Sequence, residues 1–243
     1  MDHQPSSDQP GPDRPGPDRP SSDRPSSDRP GSDRPSPDRP ATAAELFDAV
    51  GHDYEEAFGR TPAVDEAVRL LLDRLPPHAK VLDVGSGTGR PVAADLAAAG
   101  HDVVGVDVSA TMVGIARQQV PDARFVHADI REWESEDANW DAVCAFFPFL
   151  QMTRDEVVAV LAKIARWLKP GGVLALVTVP MDVEGMVVPF LGHTVRLTSF
   201  AAPDLINRVE RAGLTVLDTR STVFSPDREG QPDEEHLLVL AQA

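Results

Sequence analysis

The sequence predicts an α/β fold with a doubly wound, mostly parallel sheet of seven strands and helices on both faces. Apolar segments of strand length alternate with segments of helical periodicity, which is the order of elements in α/β folds. The segment 173–179 is an unbroken apolar run, as expected for a strand buried on both faces. A glycine-rich turn follows the first strand, and two further strands, 214–224 and 236–241, end the chain.

The composition favours one domain with a tail: the chain has 243 residues, one cysteine and a formal net charge of −16. A single cysteine excludes an internal disulfide and fits a reducing compartment, so we expect a cytoplasmic protein. No apolar run approaches the roughly 20 residues needed to span a bilayer, and the polar N-terminus is unlike a secretory signal. The acidic charge disfavours nucleic acid as a partner and mildly favours cationic or neutral small molecules.

Residues 1–41 form a low-complexity segment in which Asp-Arg-Pro recurs six times. Recurrent proline breaks helices, and the segment has almost no apolar side chains to bury. The sequence therefore predicts a disordered tail over 1–41 and a folded domain over 42–243. The tail serves either as a dispensable linker or as a peptide ligand for a partner.

Two helices are predicted before the first strand. Thr42 and Glu45 have the spacing of a capping box, and apolar residues then recur at helical intervals, with Gly51 as a break. The second helix begins at Thr61-Pro62, because proline is favoured at the first helical position.

The glycine-rich turn places Gly85, Gly87 and Gly89 directly after the strand 81–84. Glycine accepts a positive φ and lets a ligand approach the main chain, and open α/β sheets bind ligands at the carboxyl ends of their strands. A phosphate-binding P-loop would end in Gly-Lys-Ser/Thr, which this turn lacks. The dinucleotide fingerprint would need its third glycine where Arg90 stands.

With an acidic residue two positions before the first glycine, the pattern resembles the first motif of the class I S-adenosylmethionine-dependent methyltransferases. The resemblance implies a Rossmann-like fold with an N-terminal helical cap and a last strand inserted antiparallel beside the fifth. It implies S-adenosyl-L-methionine as the cofactor, with its methionine end wrapped by the loop. The loop residues concerned are Asp83, Gly85, Ser86, Gly87 and Gly89. The resemblance covers about residues 42–243.

The second strand, 103–108, ends near Asp107, about 20 residues beyond the loop, where a carboxylate can accept both ribose hydroxyls. Ser109 is a suitable N-cap for the helix that follows. The resemblance implies that Val108 and Met112 contact the adenine, although core packing explains Met112 equally well.

A third strand, 123–128, precedes Asp129 and Ile130. The resemblance implies that Asp129 binds the adenine amino group beside a backbone amide, that of Ile130, which serves the ring. Capping of the following segment is the alternative role for Asp129.

The fourth strand, 140–147, ends in an aromatic segment, and the resemblance places that end beside the transferred methyl group. Phe146 would offer a ring face to the sulfonium cation. Phe147 and Phe149 would contact the substrate. Cys144 lies in mid-strand and is interpreted as a small buried residue. The strand end lacks an acid pair that would hold Mg²⁺, so no metal is expected.

The remaining chain is predicted as a helix from Thr153, a turn over 169–172, the apolar fifth strand and a helix over 203–212. The segment 181–200 is predicted to be irregular. The resemblance implies that it is an insertion that covers the substrate. Tyr54, in the predicted cap, would reach the same substrate pocket, and a role as a core aromatic is equally supported.

The predicted function is methyl transfer to O, N or C of a small molecule, for example a natural-product intermediate. A hydroxyl acceptor would require a general base. His193 and His236 are the first candidates, followed by Tyr54 and Glu235. A nucleotide-cofactor oxidoreductase and a non-catalytic cofactor-binding protein are the alternatives. The oligomeric state is left open.

Overall fold

The computed structural model of the protein describes residues 39–58, 60–225 and 233–243. Most of the predicted tail, residues 1–38, lies outside the described residues. Residues 39–41 of the predicted tail are among the described residues. The backbone amide of Ala41 donates a hydrogen bond of 2.7 Å to the carbonyl oxygen of Thr194.

A seven-stranded sheet confirms the predicted fold class. Its strand order is β3-β2-β1-β4-β5-β9-β8, with parallel pairing from β3 to β5. Strand β9 lies antiparallel between β5 and β8, as the resemblance implied. The strands are β1 (Lys80–Val84), β2 (Asp102–Asp107), β3 (Arg124–His127), β4 (Trp140–Phe146), β5 (Leu168–Thr178), β8 (Thr215–Phe224) and β9 (Glu234–Gln242).

Helices cover both faces of this sheet. They are α1 (Ala43–Val50), α2 (His52–Phe58), α3 (Pro62–Leu72), α4 (Val92–Ala98), α5 (Ala110–Gln119), α6 (Arg154–Trp167) and α7 (Ala202–Arg211). Successive residues of β1 point to opposite faces, so Val81 packs with α3 and α4 while Leu82 packs with α6 and α7. This two-sided burial explains why the central strands are continuous apolar runs.

The predicted helical cap is only partly correct. As predicted, Gly51 interrupts the first helical segment, with a φ of 45°, and divides it into α1 and α2. Both lie over the carboxyl edge of the sheet, and side chains of each line a cavity there. Helix α3 instead packs into the core on one face of the sheet, because six of its residues are buried. It therefore belongs to the helical layer and not to the cap.

The segment 181–200 was predicted to be irregular, and the structure corrects this. It forms an antiparallel hairpin of β6 (Val183–Phe190) and β7 (His193–Ser199), separate from the main sheet. The predicted turn over 169–172 is also different, because β5 starts at Leu168 and the glycines form an irregularity in its pairing with β4.

No helix in the described ranges is long and apolar enough to cross a membrane.

Candidate functional site

A cavity of about 300 Å³ opens at the carboxyl ends of β1, β2, β3 and β4. The chain passes from β1 to β2 on one side and returns to β4 on the other, so this edge contains the point where the strand order reverses. Open α/β sheets form a ligand-binding crevice at that point. The cap supplies the roof of the cavity.

The glycine-rich turn forms one wall of the cavity, and its glycines have different structural roles. Gly85 and Gly87 line the cavity, whereas Ser86 and Gly89 do not. Gly85 has a φ of 71°, and a Cβ there would lie 2.7 Å from the Cβ of Pro148, so a side chain would clash at the start of the loop. Gly89 packs against the ring of Phe125, and its role is contact between the helix and the sheet.

Two backbone hydrogen bonds fix Asp107 at the floor of the cavity. Its Oδ2 accepts a hydrogen bond of 2.8 Å from the amide of Gly87, and its Oδ1 accepts one of 2.9 Å from the amide of Ser109. Burial raises the pKa of Asp107, and these hydrogen bonds counteract part of the shift. Each carboxylate oxygen has a second lone pair, so a fixed bidentate acceptor is available to a vicinal diol.

Asp83 lies behind this floor on β1 and does not line the cavity. It is buried, and its Oδ2 has no hydrogen-bond partner among the described residues. Burial and the nearby charge of Asp107 raise the pKa of Asp83 to about 7. An unpaired buried acid of this kind is stabilised when a cation or a hydrogen-bond donor binds close to it.

Asp129 lines the cavity after β3 and is held by an arginine. The Nη2 atom of Arg131 lies 2.6 Å from Oδ2 of Asp129, and its Nη1 atom lies 2.8 Å from Oε1 of Glu156. The Arg131 guanidinium holds the pKa of Asp129 below its usual range. Ile130 also lines the cavity, and its side chain is buried in the core.

Val108 and Met112 form an apolar side of the cavity next to Asp107. Ser109 caps α5, as predicted, because its Oγ accepts a hydrogen bond from the amide of Met112. Met112 of α5 is buried against α1 and β7 and also lines the cavity, so both of its predicted roles are compatible with its place.

The roof consists of a short strap, defined here as residues 40–43, together with Phe47 of α1 and Tyr54 of α2. Helix α1 is held to the N-terminus of α5 by Asp48, whose Oδ1 accepts hydrogen bonds of 2.6 Å from the Oγ of Ser109 and 3.1 Å from the amide of Thr111. Burial opposes ionisation of Asp48, but these hydrogen bonds outweigh it and lower the pKa of this carboxyl group.

The end of β4 brings two of the three predicted phenylalanines to the cavity. Phe146 and Phe147 line it, and Phe147 has a φ of 61°, a conformation that costs a non-glycine residue energy and is common in active sites. Phe149 was predicted to contact the substrate, but it does not line the cavity. Its side chain is buried in the core against α6, because the backbone turns after Pro148. Cys144 is buried in β4, and burial raises its pKa.

Neither candidate histidine lines the cavity. His236 is 2 % exposed, and its ring packs 4.8 Å from the ring of Phe147 and 5.1 Å from that of Phe224. Phe147 thus separates His236 from the cavity. His193 lies at the start of β7 beside the hairpin turn, paired with Phe190. The prediction that one of them faces a substrate therefore has no support in this conformation.

Tyr54 and Glu235 were the other base candidates. Burial, together with the charges of Asp107 and Glu234, raises the pKa of Tyr54 to about 12, so its hydroxyl is a donor at neutral pH. Glu235 is exposed on β9 and does not line the cavity. Within the described residues, no three acidic, histidine or cysteine side chains are grouped as metal ligands.

An aromatic cluster beside the cavity was not predicted. It joins the cap, the hairpin, β8, β9 and the end of β4 through ring centroids 4.8 to 6.5 Å apart. Its members are Phe47, Tyr54, Phe58, Phe147, Phe190, Phe224 and His236. The alternation of apolar and polar residues over 193–199 could have predicted β7, but nothing local predicts where its side chains meet the cap.

The sequence also missed several lining residues. Gln151 and Met152 follow β4, and Arg131 and Arg196 also line the wall. The resulting cavity has a bidentate acid and an apolar slot at the floor, an aromatic wall at the end of β4 and a roof of cap residues. These features fit an elongated ligand with a diol, a flat apolar ring and a cationic end near Asp83 and Phe146.

Methyltransferases are among the known proteins to which this chain is similar. Residues 81–172 match a family model described as a methyltransferase domain. A Bacillus subtilis (strain 168) protein named as a methyltransferase is 32 % identical over 135 residues, 53 % of each chain. A dTDP-3-amino-3,6-dideoxy-α-D-glucopyranose N,N-dimethyltransferase of Streptomyces fradiae is 28 % identical over 203 residues, 81 % of this chain and 77 % of the relative.

Among solved structures, a 1,6-didemethyltoxoflavin N1-methyltransferase of Burkholderia thailandensis superimposes with a TM-score of 0.62 at 23 % identity. The match covers 84 % of this chain and 92 % of that protein, whose structure contains 1,6-didemethyltoxoflavin and S-adenosylhomocysteine. At this identity the match shows a common fold. The chain spans about half the length of the Bacillus relative and about three quarters of the Streptomyces relative.

Proposed function

We propose that this chain is a class I S-adenosylmethionine-dependent methyltransferase and that it transfers the methyl group of S-adenosyl-L-methionine to O, N or C of a small molecule. The observation that carries the proposal is the position of Asp107. Its carboxylate is fixed by two backbone amides, one from the glycine loop, at the edge of the sheet where ligands bind.

The residues present fit this cofactor. Asp107 would accept the ribose hydroxyls, Asp129 and the amide of Ile130 would serve the adenine, and Val108 and Met112 would form its apolar slot. Gly85 and Gly87 would lie along the methionine part, with Asp83 behind them. Ser86 and Gly89 lie outside the cavity wall, so we propose that they shape the loop without contacting the cofactor. When bound, the cofactor supplies an electrophilic methyl group on a sulfonium.

The chain itself would position the acceptor and exclude water, which is the main requirement when the methyl group is already activated. The ring faces of Phe146 and Phe147 suit a sulfonium cation, and the strap with Phe47 closes the roof. Tyr54 is protonated at neutral pH, Asp107 is hydrogen-bonded to the backbone and Asp129 is paired with Arg131, so none of them is available as a strong base. We therefore expect an acceptor atom that is nucleophilic without a strong base, such as a neutral amine or an oxyanion.

The enclosed roof and the volume of about 300 Å³ support a small-molecule acceptor. The names of the relatives from Streptomyces and Burkholderia support an acceptor of natural-product type. Metal-independent transfer, no nucleic-acid partner and a cytoplasmic location remain predictions from the sequence. The non-catalytic and oxidoreductase alternatives have no supporting observation, and the position of Gly89 disfavours a dinucleotide.

Thermal unfolding with S-adenosylhomocysteine, with NADH and with neither tests the cofactor. A ligand that binds only the native state adds about 2.7 kcal/mol at a hundredfold excess over its dissociation constant. We expect a rise in Tm with S-adenosylhomocysteine, a smaller rise in Asp107→Ala and none with NADH. Transfer of labelled methyl to candidate acceptors then tests the reaction. A rise with NADH alone, or with neither ligand, would contradict the proposal.

A further inference from the structure

Strand β7 places an arginine in the wall of the cavity, outside the main sheet. Arg196 pairs with Val187 across the hairpin, and its neighbour Val195 forms a backbone bridge with Ala41 of the strap. Arg196 and the strap therefore line the same upper part of the cavity. The floor, where Asp107 lies, is formed by a different layer of the fold.

Arg196 differs from the other arginine of the wall in its charge balance. Arg131 is neutralised by Asp129 and Glu156, at 2.6 and 2.8 Å. Within the residues that the structure describes, Arg196 makes no ion pair, and its side-chain hydrogen bond runs from Nη1 to the carbonyl oxygen of Gly185 at 3.5 Å. The cavity wall thus contains one guanidinium whose charge no described residue balances.

Arg196 is exposed, so solvent screens part of its charge, but apolar side chains line the same cavity. Phe47, Tyr54 and Met152 line the same cavity, and apolar walls focus the field of a nearby cation. The chain as a whole carries a formal charge of −16, which repels anions. A local arginine in the wall would be needed to hold an acidic molecule there, and a guanidinium presents two parallel donors that match a carboxylate.

We propose that the acceptor is a small carboxylic acid and that Arg196 binds its carboxylate. The inference rests on the proposed function, because it assigns the acceptor side of the same cavity. It also changes the expectation from composition, which favoured cationic or neutral substrates. Arg196 is assigned as a specificity residue that holds the acceptor while another part of the molecule, or the carboxylate itself, receives the methyl group.

The test compares acids with their uncharged amides on the protein saturated with S-adenosylhomocysteine. The probes are phenylacetate with phenylacetamide, 4-hydroxybenzoate with 4-hydroxybenzamide, and succinate with succinamide, measured by calorimetry. Hydrogen bonds to charged groups predict at least about a tenfold preference for the acid in one or more pairs. We expect Arg196→Gln to abolish that preference and Arg196→Lys to keep part of it, because lysine retains the charge but not the paired donors.

Arg124→Gln is the matched control. Arg124 lies at the amino end of β3, at the opposite edge of the sheet, and pairs with Asp102 at 3.2 Å. The control should keep the preference for acids. If no acid binds more tightly than its amide, or if the preference survives in Arg196→Gln, the inference is wrong. Failure of the wild type to bind S-adenosylhomocysteine would instead contradict the proposed function, so the two failures are distinguishable.

Discussion

The carboxylate of Asp107 accepts a hydrogen bond of 2.8 Å from the backbone amide of Gly87. The two residues are 20 positions apart in sequence and lie at the ends of adjacent parallel strands. The acid that can bind a diol therefore also fixes the loop that lies beside it. Cofactor affinity and loop order should depend on the same side chain.

Asp107→Asn should weaken S-adenosylhomocysteine binding by tenfold or more, because an amide offers one acceptor oxygen in place of two. Calorimetry measures the dissociation constant, and hydrogen exchange of the Gly87 amide measures loop order, which should fall. Asp102→Asn, at the exposed start of the same strand, is the control and should change neither. An unchanged dissociation constant in Asp107→Asn would remove Asp107 from the cofactor site.

Asp83 should make the ligand-free protein less stable as the pH rises. Its folded pKa of about 7 is above the ordinary 3.8, so its ionisation is unfavourable in the folded state. The contribution of the neutral Asp83 carboxyl group to the free energy of unfolding is fully present below pH 4 and is lost as the pH rises through 7. The loss would be a few kcal/mol, since one pKa unit corresponds to about 1.4 kcal/mol.

Asp83→Asn should accordingly raise the free energy of unfolding at pH 8 and flatten its dependence between pH 4 and 7. Asp141→Asn is a control of opposite sign. Although burial opposes its ionisation, hydrogen bonds from Lys169 and from the amide of Lys80 lower the pKa of Asp141, and its loss should destabilise the protein at neutral pH. Denaturant unfolding at several pH values measures both, and a parallel response of the two variants would refute the assignment for Asp83.

Gly85→Ala should destabilise the protein by about 1–3 kcal/mol, because of its positive φ and the clash with Pro148. Gly114→Ala in α5 meets no atom within 4 Å and should stabilise it by about 0.5–1 kcal/mol, because alanine favours a helix. The free energy of unfolding from denaturant titration distinguishes them. Equal effects would show that Gly85 is not constrained by Pro148.

Asp48→Ala should loosen the roof without disturbing the sheet. It removes the acceptor for Ser109 and Thr111 and should cost about 1–2 kcal/mol. Hydrogen exchange should increase in α1 and remain unchanged in β1 and β4. Asp53→Ala, on the exposed face of α2, is the control. Uniform loss of protection through the sheet would mean that α1 is part of the core and not a separate roof.

His236→Gln should leave the pH profile of methyl transfer unchanged, because Phe147 separates the imidazole from the cavity. The variant should mainly lower Tm, since the ring packs within the aromatic cluster. His193→Gln should leave both quantities close to those of the wild type. Loss of a limb of the pH profile in either variant would restore that histidine as a general base.

The sequence by itself determined the order of elements in the main sheet and the floor of the site, but not the β6–β7 hairpin. Central strands buried on both faces need apolar runs, and capping residues such as Thr42 and Ser109 act on their own helices, so both leave local patterns. The glycine spacing and the acids at the strand ends are equally local, because parallel strands end at one edge of the sheet. Gly85, Asp107 and Asp129 could therefore be placed at one site from the sequence alone.

Only the tertiary structure decided the roof and the acceptor side. The strap, α1, α2 and the β6–β7 hairpin meet over the cavity through contacts between residues far apart in sequence, such as Ala41 with Thr194 and Asp48 with Ser109. No period or motif encodes such contacts. The backbone turn at Phe147 and Pro148 likewise sends Phe149 into the core, and the packing of Phe147 on His236 removes that histidine from the cavity. Which face a side chain presents there depends on the packing of several elements at once, and that is fixed by the fold as a whole.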